Sequence, residues 1–491
     1  MLLTPVIGKA WSFSGAPNPC YLVIIAPDDF VDALGPLVRH KNGSGMPSHI
    51  VPLSLALQDF AGADDPERIK RAITSAHEQL AARYILLAGD ASKIPARHRF
   101  VRQFDGGMKE GIDGTYNVTD NYYANLYWPG GQAAGFSDWD GNKDGKFNEQ
   151  VWPSSPSSLN PDNVDGFPHV AVGRVPAHTI QDLEVYVRKV IAYERGHGLS
   201  LPLDVFTFLS DHYFPNSREH CENIAVYSGI GPQYNRVVQY FAGNFPSSED
   251  PQTSRASWRR FGPSEEMMAF DCSKWLIHIG HANTHEWSIA LSDGRRLDKS
   301  YIRSRPSQGW SVSDSRNFPV VFSGGCDSGL FLTNAPTHEY RGLDPDIAHW
   351  FWIDKDKQQI NDRATGTTVR WPATVPAPNP YDFPAKSGRT FAYDWLCDSA
   401  SGGAIAYFGA TVVHEGGSFS VDLIARMLKA YAGGMRILGD VWVQGERTYF
   451  EENLSADDVL GSRRIFLGIQ TLFGDPSLRL PSVGDRNAQT V

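Results

Sequence analysis

Three things are scarce in this chain. Cysteine is the first: there are five in 491 residues, at positions 20, 221, 272, 326 and 397. The number is odd, the positions are scattered, and no C-x-x-C or C-x-x-H pair occurs. That excludes a disulfide framework and a cysteine-ligated zinc site as organising devices. Reduced buried thiols plus one reactive thiol fit the pattern, and such a chain tolerates a reducing compartment. Basic charge is the second: 45 Lys and Arg stand against 55 Asp and Glu, a net charge of −10. A basic stripe is missing, so nucleic acid is set aside as a partner. Long apolar runs are the third. Nothing reaches the length of a membrane span. The start, Met1-Leu2-Leu3-Thr4-Pro5, has neither a charged n-region nor a long h-region and does not read as a signal peptide; the compartment is left unassigned.

What the chain does contain is a series of short apolar runs bounded by glycine. Cys20 to Ala26, Ser48 to Leu55 and Tyr84 to Ala88 read as strands. Helical patterns lie between them, over Asp28 to Lys41 and from Asp65 through Leu80; the second starts with an N-cap and a first-turn proline. A strand at Val170 to Gly173 and a helix over Thr179 to Arg195 follow. The rhythm restarts after the Gly-rich linker 195–200: strand Asp204 to Ser210, helix Asn216 to Tyr227, strand Arg236 to Phe241, and a short helix at Glu265 to Phe270. Gly403 to Gly409 is a further buried strand and Phe419 to Tyr431 a helix. Strands alternating with helices predict parallel sheets covered on both faces. Residues 100 to 168 and 334 to 390 read as irregular blocks.

Two of these runs end in reactive side chains. Trp275-Leu276-Ile277-His278-Ile279-Gly280 leads into His281. Phe318-Pro319-Val320-Val321-Phe322-Ser323-Gly324-Gly325 leads into Cys326. In an open α/β sheet the carboxyl ends of the strands open onto the crevice where chemistry sits. If the two strands are neighbours, an imidazole and a thiol face each other, the minimum equipment of a cysteine nucleophile with a His base. His278 and His281 are three residues apart on one strand and point to opposite faces, so a metal site built on His278, His281 and His285 is disfavoured. His278 reads as a hydrogen-bonded core residue, and His285 with Trp287 as the wall of the cleft.

One acidic stretch stands apart, Asp138-Trp139-Asp140-Gly141-Asn142-Lys143-Asp144-Gly145-Lys146-Phe147-Asn148-Glu149. Oxygen ligands alternate at Asp138, Asp140, Asn142 and Asp144, and Glu149 closes the loop. The spacing is similar to a calcium loop, with glycine at the eighth position where an EF-hand has it at the sixth. A structural calcium ion is therefore expected, and no organic cofactor. Asp90 reads as a turn cap and Arg174 as an ion-pair partner.

The order of motifs resembles the gingipain-type (family C25) cysteine peptidases, relatives of the caspases and legumains. The matching pieces are Tyr84 to Asp90 with Ile94-Pro95, Thr119 to Tyr123, Asp138 to Glu149, Val170 to Pro176, Gly280-His281, Cys326, Gly403 to Tyr407 and Gly474 to Leu478. The resemblance implies an α/β, caspase-like fold of two similar subdomains, each with a mostly parallel sheet flanked by helices. The division expected is 18–198 for the first subdomain, 199–482 for the catalytic one and 483–491 for a flexible tail. It implies a cysteine endopeptidase acting on protein or peptide, with Cys326 as nucleophile and His281 as general acid and base. The backbone N–H groups of Ala282 and Cys326 would form the oxyanion hole, and Asp211 would orient the imidazole. The chain departs from the family pattern in three places. Ala282 stands where glycine is usual, which motivates an alternative: a catalytically inactive, calcium-stabilised binding module on the same fold. Arg218, beside Glu219, stands near where the basic-specific gingipains carry an acid. The stretch from Cys326 to Gly403, with Trp350, Trp352 and Trp371, is longer than the pattern.

Overall fold

A computed structural model describes residues 13–103, 112–152, 162–196, 204–211, 214, 216–230, 236–242, 258–260, 273–282, 286–290, 296–298, 318–326, 328–331, 351–354, 359–362, 368–370, 390–398, 402–411, 417–452 and 467–480. The short helix read at 265–270, the linker glycine Gly198 and the tail 483–491 lie outside them.

The apolar runs assemble into one eleven-stranded sheet. Across it the order is Trp258–Arg260, Arg236–Ala242, Asp204–Ser210, Trp275–Ile279, Val320–Ser323, Ala406–Ala410, Gln470–Phe473, Ala171–Val175, Tyr84–Ala88, Leu22–Ala26 and Ser48–Pro52. Neighbours are parallel except at one place. Gln470–Phe473 runs antiparallel to Ala406–Ala410 and parallel to Ala171–Val175. The strands of the first half therefore run opposite to those of the second. Leu22, Ile24 and Ala26 join one apolar cluster and Val23 and Ile25 the other. That is the period-two pattern of a sheet buried on both faces.

Helices Val31–Gly43 and Ile180–Glu194 pack together over the first half, Ser217–Ser228 and Gly417–Ala432 pack together over the second, and Leu438–Glu451 packs on both Gly417–Ala432 and the strand Ala171–Val175. Local chemistry sets their ends. Asp64 accepts from the Glu67 N–H at the start of Asp65–Leu80, and Thr179 with Asp182 forms a reciprocal capping box on Ile180–Glu194. Either cap satisfies donors that a helix start leaves open.

Three readings of the sequence change. The second strand stops at Pro52, and Leu53–Asp59 is a helix. The blocks read as irregular supply strands to a second sheet, of order Thr368–Arg370, Gln359–Asp362, Phe351–Asp354, Ile112–Thr119, Arg97–Gln103 and Gln150–Trp152. It joins chain on both sides of the strands that lead to His281 and Cys326, and the extra stretch bearing Trp352 belongs to it. The helices Phe391–Leu396 and Leu438–Glu451 and the strand Gln470–Phe473 were not read from the sequence.

Candidate active site

His281 and Cys326 leave the sheet at one rim, a strand apart. Trp275–Ile279 pairs in parallel with Val320–Ser323, Leu276 opposite Val321 and His278 opposite Ser323. The Gly324 N–H donates to the His278 carbonyl at 2.8 Å, carrying the ladder into the turn. There the two turns touch. A Cβ on Gly325 would lie 2.4 Å from Ala282 Cβ, 2.8 Å from the Gly280 carbonyl oxygen and 2.9 Å from Ala282 N. Backbone approach this close needs glycine. The far side of the loop is pinned the same way: the Gly329 N–H donates to Ala410 O at 2.8 Å, and the Ser328 hydroxyl to Gly325 O at 3.2 Å. Below it the Tyr407 hydroxyl, pushed up to about 12 by burial, sits with Ser323, Ser328 and the Trp287 indole.

Cys326 is half-buried at the head of this pinned loop and His281 is exposed beside it. Cys20, Cys221 and Cys397 are buried and unpaired, and burial pushes each thiol up, Cys20 to about 12. Thiols so protonated are inert.

Ala282 bridges Trp287 in antiparallel fashion and is not among the described residues with positive φ. Its backbone is ordinary, so alanine is tolerated there. The steric demand for glycine falls one residue before His281, because a Cβ on Gly280 would lie 2.1 Å from Asp211 Cβ. Asp211 is fully buried. Its Oδ2 accepts the backbone N–H of His281 at 3.1 Å, and its own N–H donates to Ile279 O at 3.0 Å. Asp211 thus grips the main chain that carries the imidazole. Phe214, not singled out from the sequence, meets the His281 ring edge-on with centroids 5.2 Å apart.

Trp287 was expected on the cleft wall and lies in the core. It is 0% exposed, with its indole N–H on Ser323 Oγ at 2.9 Å and its ring against Phe391 and Trp395. An indole has too much apolar surface to stay at the rim when an aromatic cluster is within reach. His285 lies outside the described residues. Among the described residues no three His, Cys, Asp or Glu side chains converge as a metal site.

The model of peptidase family C25 matches residues 15–345. The chain belongs to peptidase family C25. It is a cysteine-type peptidase, and its substrates are proteins or peptides. The fold is that of the gingipains. The Arg-specific cysteine proteinase gingipain R (RgpB) superposes with a TM-score of 0.55 at 14% identity, over 94% of this chain and 78% of that one. The Porphyromonas gingivalis complex of RgpB pro- and mature domains gives 0.54 at 15% identity, over 94% and 79%. No curated protein sequence matches the chain significantly. Among the described residues no helix is long and apolar enough to cross a membrane.

The acidic loop of this C25 peptidase is closed by its own donors. Asp138 accepts from the Asp140 N–H and from Lys143, and Asp140 from the N–H groups of Asp144 and Gly145. Asn142 Oδ1 also accepts from Asp144, and Asp144 Oδ1 from the Lys146 N–H. Glu149 accepts from the Asn142 amide at 3.1 Å, and Lys146 lies 3.9 Å from its other oxygen. The residues expected to bind calcium thus already accept hydrogen bonds from donors of the loop itself. The residue that holds the loop is Asp162, 1% exposed, which accepts the N–H groups of Gly141, Asn142 and Glu149. Nothing in the local sequence pairs it with a loop twenty residues earlier. Trp139, at φ 72°, plugs the loop into the core and donates to Asn125.

Two other readings find partners. Arg174 is fully buried and forks onto Asp120 at 2.6 and 2.8 Å. Asp90 caps the turn at Ser92 and Lys93 and pairs with His178. Because the two halves run in opposite senses, Asp90 lies at the other rim of the sheet from His281.

Proposed function

We propose that this peptidase is an endopeptidase in which Cys326 and His281 carry the reaction. The thiolate of Cys326 attacks the scissile carbonyl carbon, and the carbonyl π pair moves onto oxygen. The N–H groups of Ala282 and Cys326 receive that oxyanion. The imidazolium of His281 gives its proton to the departing amine as the C–N bond breaks, leaving a thioester. His281 then takes a proton from water, whose oxygen displaces the thiol and frees the acid.

The observation that carries this reading is the contact between the two turns. Two parallel neighbouring strands bring His281 and Cys326 to one rim, and the Gly325–Ala282 contact brings the Ala282 N–H beside the residue preceding Cys326. Asp211 acts in it through the His281 main chain, as a positioning residue. The inactive-module alternative was motivated by Ala282, whose ordinary backbone removes that motive.

Profiling a peptide library with wild type and Cys326→Ala tests the reading and reports the residue preferred before the cut. Internal cleavage by wild type and none by the variant is expected. Internal cleavage that survives Cys326→Ala, or a thiol-directed peptide electrophile that labels Cys326 no faster than a free surface thiol, overturns it.

A further inference from the structure

The catalytic rim contains a second imidazole that the reaction above does not use. His278 is the next-to-last residue of the strand that delivers His281, 0% exposed, between Ser323 on one neighbouring strand and Leu209 on the other. Among the described residues neither of its ring nitrogens has a hydrogen-bond partner. A neutral imidazole has one N–H and one lone pair, so both of its polar groups lack a partner among the described residues. Leaving a buried donor or acceptor unpaired costs stability, and an apolar ring of the same shape would not incur that cost. Local rules broken in this way concentrate at functional sites.

Its surroundings tie it to the machinery on three sides. The ring lies flat on the indole of Trp287, centroids 4.5 Å apart and planes 11° apart. Trp287 in turn holds Ser323 Oγ at the end of the nucleophile strand and bridges Ala282. The backbone carbonyl of His278 accepts the Gly324 N–H. Nε2 lies 3.1 Å from where a Gly280 Cβ would sit, in the turn that carries His281, and the Asp211 side chain fills that same space.

We propose that His278 is a positioning residue of the catalytic centre, kept in the core for its ring nitrogens and not for packing, and acting through the Asp211–His281 arm. The proposal rests on the Cys326/His281 reading. The titratable groups around it are His281 on its own strand, Asp211 at the end of the adjacent strand, and the Tyr407 hydroxyl beside Ser323 and Trp287. Burial, with the charge of His281 adding to it, holds the His278 imidazole down at about 3. Held neutral, it presents a dipole to the His281 turn without a competing charge.

The test compares His278→Phe, which keeps the stacked ring and loses both nitrogens, with His278→Gln, which keeps a donor and an acceptor. Cys326→Ala is run beside them. The readouts are the thermal midpoint, kcat and KM separately, and the pH dependence of Cys326 alkylation by iodoacetamide. The Phe variant is expected to melt at or above the wild-type temperature, to lose about tenfold in kcat with KM within threefold, and to shift the alkylation profile by about half a pH unit. The Gln variant is expected to recover most of kcat and the wild-type profile. A folded Phe variant matching wild type within twofold, with an unshifted profile, overturns the proposal. So does a Gln variant as impaired as the Phe one. If the Phe variant does not fold, His278→Leu takes its place in the same comparison. Internal cleavage by Cys326→Ala would sink the underlying reading instead. An inactive Cys326→Ala beside a wild-type-like Phe variant removes only the role of His278.

Discussion

Gly325 and Ala282 meet across the mouth of the site with no room for a second Cβ: one built on Gly325 would stand 2.4 Å from that of Ala282. Gly325→Ala is therefore expected to lower kcat/KM by at least 100-fold, about 2.7 kcal/mol of transition-state stabilisation, by prising the two turns apart. Ala282→Gly in the same chain removes the tightest contact but leaves the Gly280 oxygen at 2.8 Å. The double variant should regain part of the loss and not all of it. Steady-state kinetics with a peptide substrate measures both.

Asp211 offers a test of grip against charge. Its Oδ2 accepts the His281 main-chain N–H, and an asparagine oxygen can do the same. Asp211→Asn should stay within about threefold of wild type. Asp211→Ala, which orphans that N–H, should lose about 10- to 100-fold, or ~1.4–2.7 kcal/mol. Equal losses in the two variants would mean that the carboxylate charge acts on the imidazole.

A buried ion pair beside the chain that follows Gln470–Phe473 predicts an acid-sensitive step. Burial alone would push the Glu194 carboxyl up. The Lys41 ammonium at 2.6 Å and His40 at 2.8 Å outweigh burial and hold it at about 2. A carboxyl depressed on folding contributes stability above its unfolded value near 4.5, and that contribution disappears as pH falls towards 2. Its size is about 3 kcal/mol. Denaturant midpoints of wild type and Glu194→Gln should differ most at pH 7 and converge near pH 2. Parallel curves would remove Glu194 as the source.

The acidic loop separates two ways of holding a chain segment. With its carboxylates already on loop donors, a chelator is expected to move the thermal midpoint by less than about 1 °C. Asp162→Ala should cost about 2–4 kcal/mol by orphaning three N–H groups, and added calcium should not restore it. A rise of several degrees on adding calcium to wild type would place an ion in the loop after all.

How much of this was legible depends on where the information lies. Strands such as Tyr84–Ala88 and Asp204–Ser210 carry their own signature, a short apolar run with glycine or a turn residue at its end, and they fold as read. The opposed turns of His281 and Cys326 followed from the same runs. What was not legible depends on partners distant in sequence. Leu53–Asp59 continues a strand-like run but turns helical after Pro52. In the second sheet, strands such as Arg97–Gln103 are rich in polar residues, and Phe351–Asp354 pairs with Ile112–Thr119 across more than two hundred residues. Trp287 looked like a wall because it follows the catalytic turn, and its burial was decided by Phe391 and Trp395, a hundred residues on. The departure noted at Ala282 lies two residues beyond Gly280, the position where Asp211 leaves no room for a Cβ.

The strand Gln470–Phe473 fixes an order of events in the life of the chain. It is inserted between Ala406–Ala410 and Ala171–Val175, yet it is synthesised after every other strand of that sheet. Until it arrives, the two half-sheets face each other with raw hydrogen-bonding edges and no means of joining. The Cys326 loop leans on Ala410, whose strand is zipped shut by that late arrival. A ribosome-bound chain that already contains both His281 and Cys326 therefore still lacks the strand that backs Ala410, on which the Cys326 loop rests.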